Sequence, residues 1–191
     1  MQFTLNKPRQ YIIVNDLNEL NQKQEEQYFL SIKKMRQGVP LEHITHQREF
    51  MKLNFFVNEN VLIPRQDTEI LVEEVIKIAK KINAKSILDL CTGSGAIAVS
   101  LAKYLPDTEI TALDISSDAL KVAKKNAISN GVENQITFVS SDLFTNLSEE
   151  KFDIIVSNPP YVKEEIMDKL DEQVKREPKI ALNGGKDGLN F

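Results

Sequence analysis

The run Ser157-Asn158-Pro159-Pro160-Tyr161 has the residue types and spacing to hold an amino group attached to an sp2 carbon. Its two prolines bias Asn158 and Pro159 towards extended backbone and remove two N–H donors. The side-chain oxygen of Asn158 and the carbonyl of Pro159 then stand as neighbouring acceptors, which suit a planar –NH2 group. Tyr161 adds a flat aromatic face on which an amide or a base can stack. Such a tetrapeptide taken alone is also an ordinary loop, so its position decides. Residues 152–156 before it are apolar and bounded by turn residues, the pattern of a buried parallel strand. The clamp therefore hangs off a strand's C-terminal end, where open α/β sheets bind ligands.

Three upstream strands deliver chemistry at the same edge. Residues 86–90 form a short apolar strand followed by Cys91-Thr92-Gly93-Ser94-Gly95 and a helix to about Tyr104, halted by Pro106. Strand, glycine-rich turn and helix make a nucleotide-binding corner, because glycines admit a ligand close to the backbone and a helix start offers free N–H groups. Residues 109–114 form the second strand, ending in Asp114 about 20 residues beyond the glycines, where a carboxylate can accept both hydrogen bonds of a ribose diol. The segment from Gly93 to Ala98 fits G-x-G-x-x-A, so this corner alone does not separate a nicotinamide cofactor from S-adenosylmethionine. A helix from about Ser116, with Leu120, Ala123 and Ala127 on one face, stops at Asn130-Gly131. The strand at 135–139 then leads to Asp142 and Leu143, an acid for the adenine amino group and an apolar cover for the ring. A helix cap beside a core residue explains that pair nearly as well.

The elements that position these residues belong to an α/β chain of 191 residues with one sizeable core. The net charge of -4 argues against strong non-specific binding to nucleic acid. The single cysteine, Cys91, permits no intrachain disulfide, no apolar run reaches membrane-span length, and the N-terminus shows no signal-peptide pattern. A cytoplasmic protein is expected. Residues 10–14 read as a short strand and 15–36 as a polar helical stretch carrying Leu17, Leu20, Tyr28, Ile32 and Met35. His43 and His46 lack the further ligands of a tetrahedral metal set and are expected at the surface. Alternating apolar residues from Phe50 to Ile63 predict a hairpin turning at Asn58-Glu59-Asn60. A helix capped by Asp67 follows, with Leu71, Val75, Ile78 and Ile82 as its core stripe.

Together these residues resemble the class I S-adenosylmethionine-dependent methyltransferases, and more narrowly the protein-(glutamine) methyltransferases that modify peptide chain release factors. The likeness runs from about Met35 to Phe191. It rests on Gly38-Val39-Pro40-Leu41, Ile63-Pro64-Arg65-Gln66-Asp67-Thr68-Glu69, the Cys91 to Gly95 loop, Ser157 to Tyr161, and Glu177-Pro178 with Ala181-Leu182-Asn183-Gly184-Gly185. The resemblance implies a Rossmann-like doubly wound sheet. It places Cys91, Thr92, Gly93, Ser94 and Gly95 at the methionine part of S-adenosylmethionine, Asp114 at the ribose, and Asp142 and Leu143 at the adenine. Asn158, Pro159, Pro160 and Tyr161 would hold the glutamine, with Asn158 and Pro159 as the catalytic clamp and Asn158 also beside the cofactor.

Two departures from the family pattern bear on organisation. Residues 1–48 make only a short version of its helical substrate-recognition domain, and in 49–191 the methyltransferase sheet stops after the fourth strand. A partner subunit or self-association is expected to cover the sheet left open. The rival expectations are an adenine-N6 nucleic-acid methyltransferase and an inactive or partner-dependent cofactor-binding fragment.

Overall fold

The computed structural model describes residues 1–147 and 150–191. The N-terminal part is helical: α1 (Gln2–Leu5), α2 (Arg9–Val14), α3 (Gln22–Arg36) and α4 (Leu41–Thr45). The strand expected at 10–14 is instead α2, whose Ile13 and Val14 are exposed. An apolar run this short does not distinguish strand from helix by its pattern, and here no neighbouring strand supplies backbone partners. The stretch at 15–36 is helical only from Gln22. Asn21 starts it there with a reciprocal capping box, its side chain taking the Gln24 N–H while the Gln24 side chain takes its own N–H. His46 is exposed and stacks on Phe56, whereas His43 is half-buried rather than at the surface.

The hairpin is β1 (Arg48–Phe50) with β2 (Leu53–Phe55), and it turns at Met51-Lys52 rather than at 58–60. Both turn residues have positive φ, at 49° and 58°. That is the twist a two-residue hairpin needs, reached here without the glycine or asparagine that advertises it. Val57, Val61 and Ile63 are buried beyond the hairpin without forming strand. Next comes α5 (Asp67–Ile82), which Gln66 precedes as cap position with no side-chain cap bond. Its buried face is Val72, Val75 and Ala79, while Ile78 and Ile82 stay about half exposed. The stripe is rotated from the expected one because small Ala79 admits close contact, a choice hydrophobicity alone does not reveal.

The remaining elements alternate: β3 (Ser86–Leu90), α6 (Ala96–Tyr104), β4 (Glu109–Asp114), α7 (Ser117–Asn130), β5 (Ile136–Ser140), β6 (Ile154–Ser157) and α8 (Glu164–Met167). The four long-range strands make one parallel sheet in the order β5-β4-β3-β6. The chain moves outward from β3 to β5 and then returns to the other side of β3. This reversal creates a topological switch point between β3 and β6, which opens a crevice at their C-terminal ends.

Alternation along β3 sends Ile87 to one face and Leu88 and Leu90 to the other. The first face, with Ile110 of β4, meets α5, α6 and α7 through Val72, Val75, Ile97, Leu101 and Ala127, with Phe50 and Phe55 of the hairpin closing the core. On the second, Leu88, Leu90 and Leu113 pack with Val139, Leu147 and Phe152. Among the described residues, no helix is long and apolar enough to cross a membrane.

Candidate active site

A cavity of about 320 Å³ opens at the C-terminal edge of the sheet, and all four strand exits reach it. From the exit of β3 come Cys91, Thr92, Gly93 and Ser94; from β4, Asp114; from β5, Asp142 and Leu143; from β6, Asn158 and Pro160. Gly95, Pro159 and Tyr161 do not line it, and Tyr161 is 68% exposed.

The loop after β3 is shaped from beneath by Asp89. This carboxyl is fully buried, and its Oδ2 accepts from Thr92 Oγ1 at 2.6 Å and from the Ala98 N–H at 3.1 Å. Burial pushes its pKa up to about 7, against the lowering effect of the Thr92 and Ala98 bonds. Above it the backbone turns through positive φ at Cys91, Gly93 and Gly95. A Cβ at Gly95 would come within 3.0 Å of Ala123 Cβ, so glycine there lets α6 and α7 approach. At Gly93 a Cβ would meet nothing within 4 Å: its bare Cα leaves space on the cavity side.

Asp114 closes the other side of the loop. Its Oδ2 accepts from the Gly93 N–H at 2.8 Å and its Oδ1 from the Ser116 N–H at 2.9 Å. Burial raises the Asp114 pKa, while the N–H groups of Ser116, Gly93 and Ile115 lower it. Each oxygen keeps a lone pair, and no cation pairs with the group among the described residues. A diol of neutral donors is what such a carboxylate accommodates.

The turn after β5 is held by Ser141, whose hydroxyl donates to the Leu143 carbonyl and accepts from the Asn146 N–H. That arrangement holds Leu143 at φ 46° on the cavity wall beside Asp142. Open space at Gly93, a half-buried diol acceptor at Asp114 and an apolar cover at Leu143 and Ile115 together fit an adenosine-bearing ligand. Cys91 offers no nucleophile: burial first and the Asp114 charge second push its thiol up to about 11.

The β6 exit is braced from both sides. Ser157 Oγ donates to the Leu90 carbonyl at 2.8 Å, and Asn158 Nδ2 donates to Thr68 Oγ1 at 3.3 Å. Behind the prolines, Val162 N–H donates to Leu182 O, and Gly184 N–H to Val162 O. A Cβ on Gly184 would sit 2.8 Å from Tyr161 Cα and 2.9 Å from Pro160 O, so the backbones touch there because residue 184 has no side chain.

Sequence reasoning left the contacts of Arg65 and Glu69 unassigned and passed over Thr68. Arg65 lines the cavity and its Nη2 pairs with Glu177 Oε1, while Glu177 Oε2 takes the Ile63 N–H at 2.9 Å. Glu69 does not line the cavity but takes the Met51 N–H at 2.8 Å. The signal for this brace was present as Ile63 to Glu69 and Glu177-Pro178, but pairing across the whole domain is invisible to spacing. Ile180, Ala181 and Phe191 complete the wall from the C-terminal segment.

Residues 65–185 match the family described as methyltransferase small domain. The release factor glutamine methyltransferase of Clostridium acetobutylicum is 45% identical over all of this chain and 68% of its own length. The protein of the same name from Clostridium botulinum is 41% identical over 98% of this chain and 67% of its own. The chain thus spans about two thirds of the length of these two curated relatives. Among solved structures, the hMettl16 catalytic domain in complex with the MAT2A 3'UTR hairpin 6 covers 75% of this chain and 55% of its own, with a TM-score of 0.60. At 19% identity, that likeness carries the fold.

Proposed function

The chain belongs to the methyltransferase small-domain family, among the release factor glutamine methyltransferases, and from that premise we propose how it acts. It transfers a methyl group from S-adenosylmethionine to the side-chain amide nitrogen of a glutamine in a peptide chain release factor. The observation that carries this reading is Asn158: an amide acceptor on the same cavity as Gly93 and Asp114, at the exit of β6, the strand beside β3 whose loop holds Gly93.

Gly93 and its loop neighbours would hold the methionine part of the cofactor, Asp114 the ribose diol, and Asp142 with Leu143 the adenine. Bound there, S-adenosylmethionine supplies an electrophilic methyl on a positively charged sulfur. The chain's own work is on the glutamine. An amide nitrogen is a poor nucleophile because its lone pair is delocalised into the carbonyl. Asn158 Oδ1 and the Pro159 carbonyl would accept its two N–H bonds, fix the nitrogen's direction and favour the positive charge that develops on it; as the methyl leaves, the sulfur becomes the neutral thioether of S-adenosylhomocysteine and the nitrogen sheds one of its N–H protons to water. Pro160 shields that contact from water on the cavity wall, and Tyr161, exposed beside it, offers its ring to the incoming peptide.

Residues 49–191 act as the catalytic unit and residues 1–48 as the docking appendage, in a protein that works in the cytoplasm with release factors. The second face of the sheet at β6, where Ile155 is exposed beside Leu88, is the surface that a second copy or partner subunit would cover. The glutamine reading is preferred to adenine methylation because the relatives covering the whole chain carry the glutamine name.

The test is a pair of variants. Asn158→Ala abolishes transfer to release factor while S-adenosylmethionine affinity, measured calorimetrically, stays close to the parent's; Gly93→Asp loses both. Equal loss of binding in the two variants contradicts the assignment.

A further inference from the structure

The peptide plane joining Pro159 to Pro160 carries no N–H, so no hydrogen bond on its nitrogen side fixes where the Pro159 oxygen points. The residues that follow must set that direction. Among the described residues, the backbone bonds of 161–164 outside their own turn all go to one segment. Val162 N–H donates to the Leu182 carbonyl at 2.9 Å, Gly184 N–H to the Val162 carbonyl at 2.8 Å, and Glu164 N–H to the Gly185 carbonyl at 2.9 Å. Contact then sets the distance. With a Cβ on Gly184 only 2.8 Å from Tyr161 Cα and 2.9 Å from Pro160 O, and one on Gly188 only 2.5 Å from Tyr161 O, the two backbones leave no room to slide. Pro160 itself is buried.

This segment is anchored at its start by a carboxylate. Glu177 is 4% exposed; its Oε2 takes the Ile63 N–H and its Oε1 pairs with Arg65. Immediately after it the chain closes a tight turn, Ala181 N–H donating to the Pro178 carbonyl and Asn183 N–H to the Lys179 carbonyl, both at 2.9 Å. Leu182, whose carbonyl holds Val162, is buried. So few bonded residues leave little slack between the anchor at 177 and the contact at 184.

We propose that residues 177–185 are a strap that positions the catalytic carbonyl: Glu177 pins it to the 63–65 segment, and Gly184 passes that position to Pro160 and Tyr161, so aiming the Pro159 oxygen at the substrate nitrogen. The inference rests on the reading of Asn158 and Pro159 as the amide clamp. Neither Glu177 nor Gly184 lines the cavity, so both are positioning residues that act through the loop they hold.

Two readouts test this on the full chain. By NMR of 15N-labelled protein, Glu177→Ala should speed hydrogen exchange of the Val162 and Glu164 amides by about tenfold or more, while the amides of β3 keep the parent's rates. Glu177→Gln, which retains an oxygen for the Ile63 N–H, should bring the two amides back towards the parent. In methyl transfer to a glutamine peptide, Gly184→Ala should lower kcat by about tenfold or more, with calorimetric S-adenosylmethionine affinity close to the parent's. Val162 and Glu164 exchanging at the parent's rates in Glu177→Ala overturn the proposal, as does a rise shared equally by β3. A Gly184→Ala chain that transfers at the parent's rate, or that loses cofactor affinity in step with rate, overturns it too, and decides alone where Glu177→Ala does not fold. Failure of the parent chain to methylate the peptide, with the exchange pattern as expected, contradicts the glutamine reading and leaves the strap's hold on the loop standing.

Discussion

At the residue scale, the buried carboxyl of Asp89 makes the loop under the cavity sensitive to pH. Its native pKa of about 7 lies above the ordinary carboxylate value, so between about pH 4 and pH 7 the native state binds more protons than the unfolded chain. The stability it contributes is complete below about pH 4 and lost as the pH rises through about 7. Asp89→Asn removes that titration. Urea unfolding on either side of that upper limit should therefore show a larger drop in stability for the parent than for the variant; equal drops contradict the assignment. Asp114, raised in the same direction, acts with the same sign in both proteins. Cys91 gives a second check. Its φ of 59° strains a side chain but not glycine, and its thiol stays protonated at neutral pH. Cys91→Gly should retain transfer and keep stability to within about 1 kcal/mol; loss of transfer with cofactor binding intact would make the thiol part of the chemistry.

At the element scale, the site is assembled by side chains that tie one segment's backbone to another. Asn126 of α7, fully buried, accepts from the Phe56 N–H and donates to the carbonyls of Phe56 and Ser94, so hairpin, helix and glycine loop share one residue. Asn126→Ala leaves three backbone groups unpaired and should cost about 3 kcal/mol or more in urea unfolding. A cost under about 1 kcal/mol would mean that the knot is dispensable. The elements themselves were legible to different degrees for physical reasons. The strands β3 to β6 and the helices between them announce themselves through continuous apolar runs and through turns at Gly93, Gly95 and Gly131. By contrast, α2 was hidden because Tyr11, Ile12, Ile13 and Val14 have the types of a strand but no strand beside them. The β1–β2 turn was hidden because Met51 and Lys52 take a backbone that glycine usually supplies.

For the whole molecule, the strand order gathers four exits into one crevice, which explains why several cavity-lining residues were readable while their supports were not. Cys91 and Asn158 directly follow strands, Asp114 ends one and Leu143 lies three residues past another, so local sequence places them. Glu177 lies 112 positions from its partner Arg65 and Thr68 lies 90 positions from Asn158, and no period or turn signal encodes such pairs. A cofactor that seats against all four exits couples to the stability of the entire sheet. At a hundredfold excess over its dissociation constant, S-adenosylmethionine should stabilise the chain by about 2.7 kcal/mol, read as a rise in the unfolding midpoint. Methyl transfer itself is read by mass spectrometry of a release factor incubated with this chain and S-adenosylmethionine. One added methyl on a glutamine side chain, absent with Asn158→Ala, is the expected result; methylation of nucleic acid instead, with the release factor untouched, would overturn the glutamine assignment.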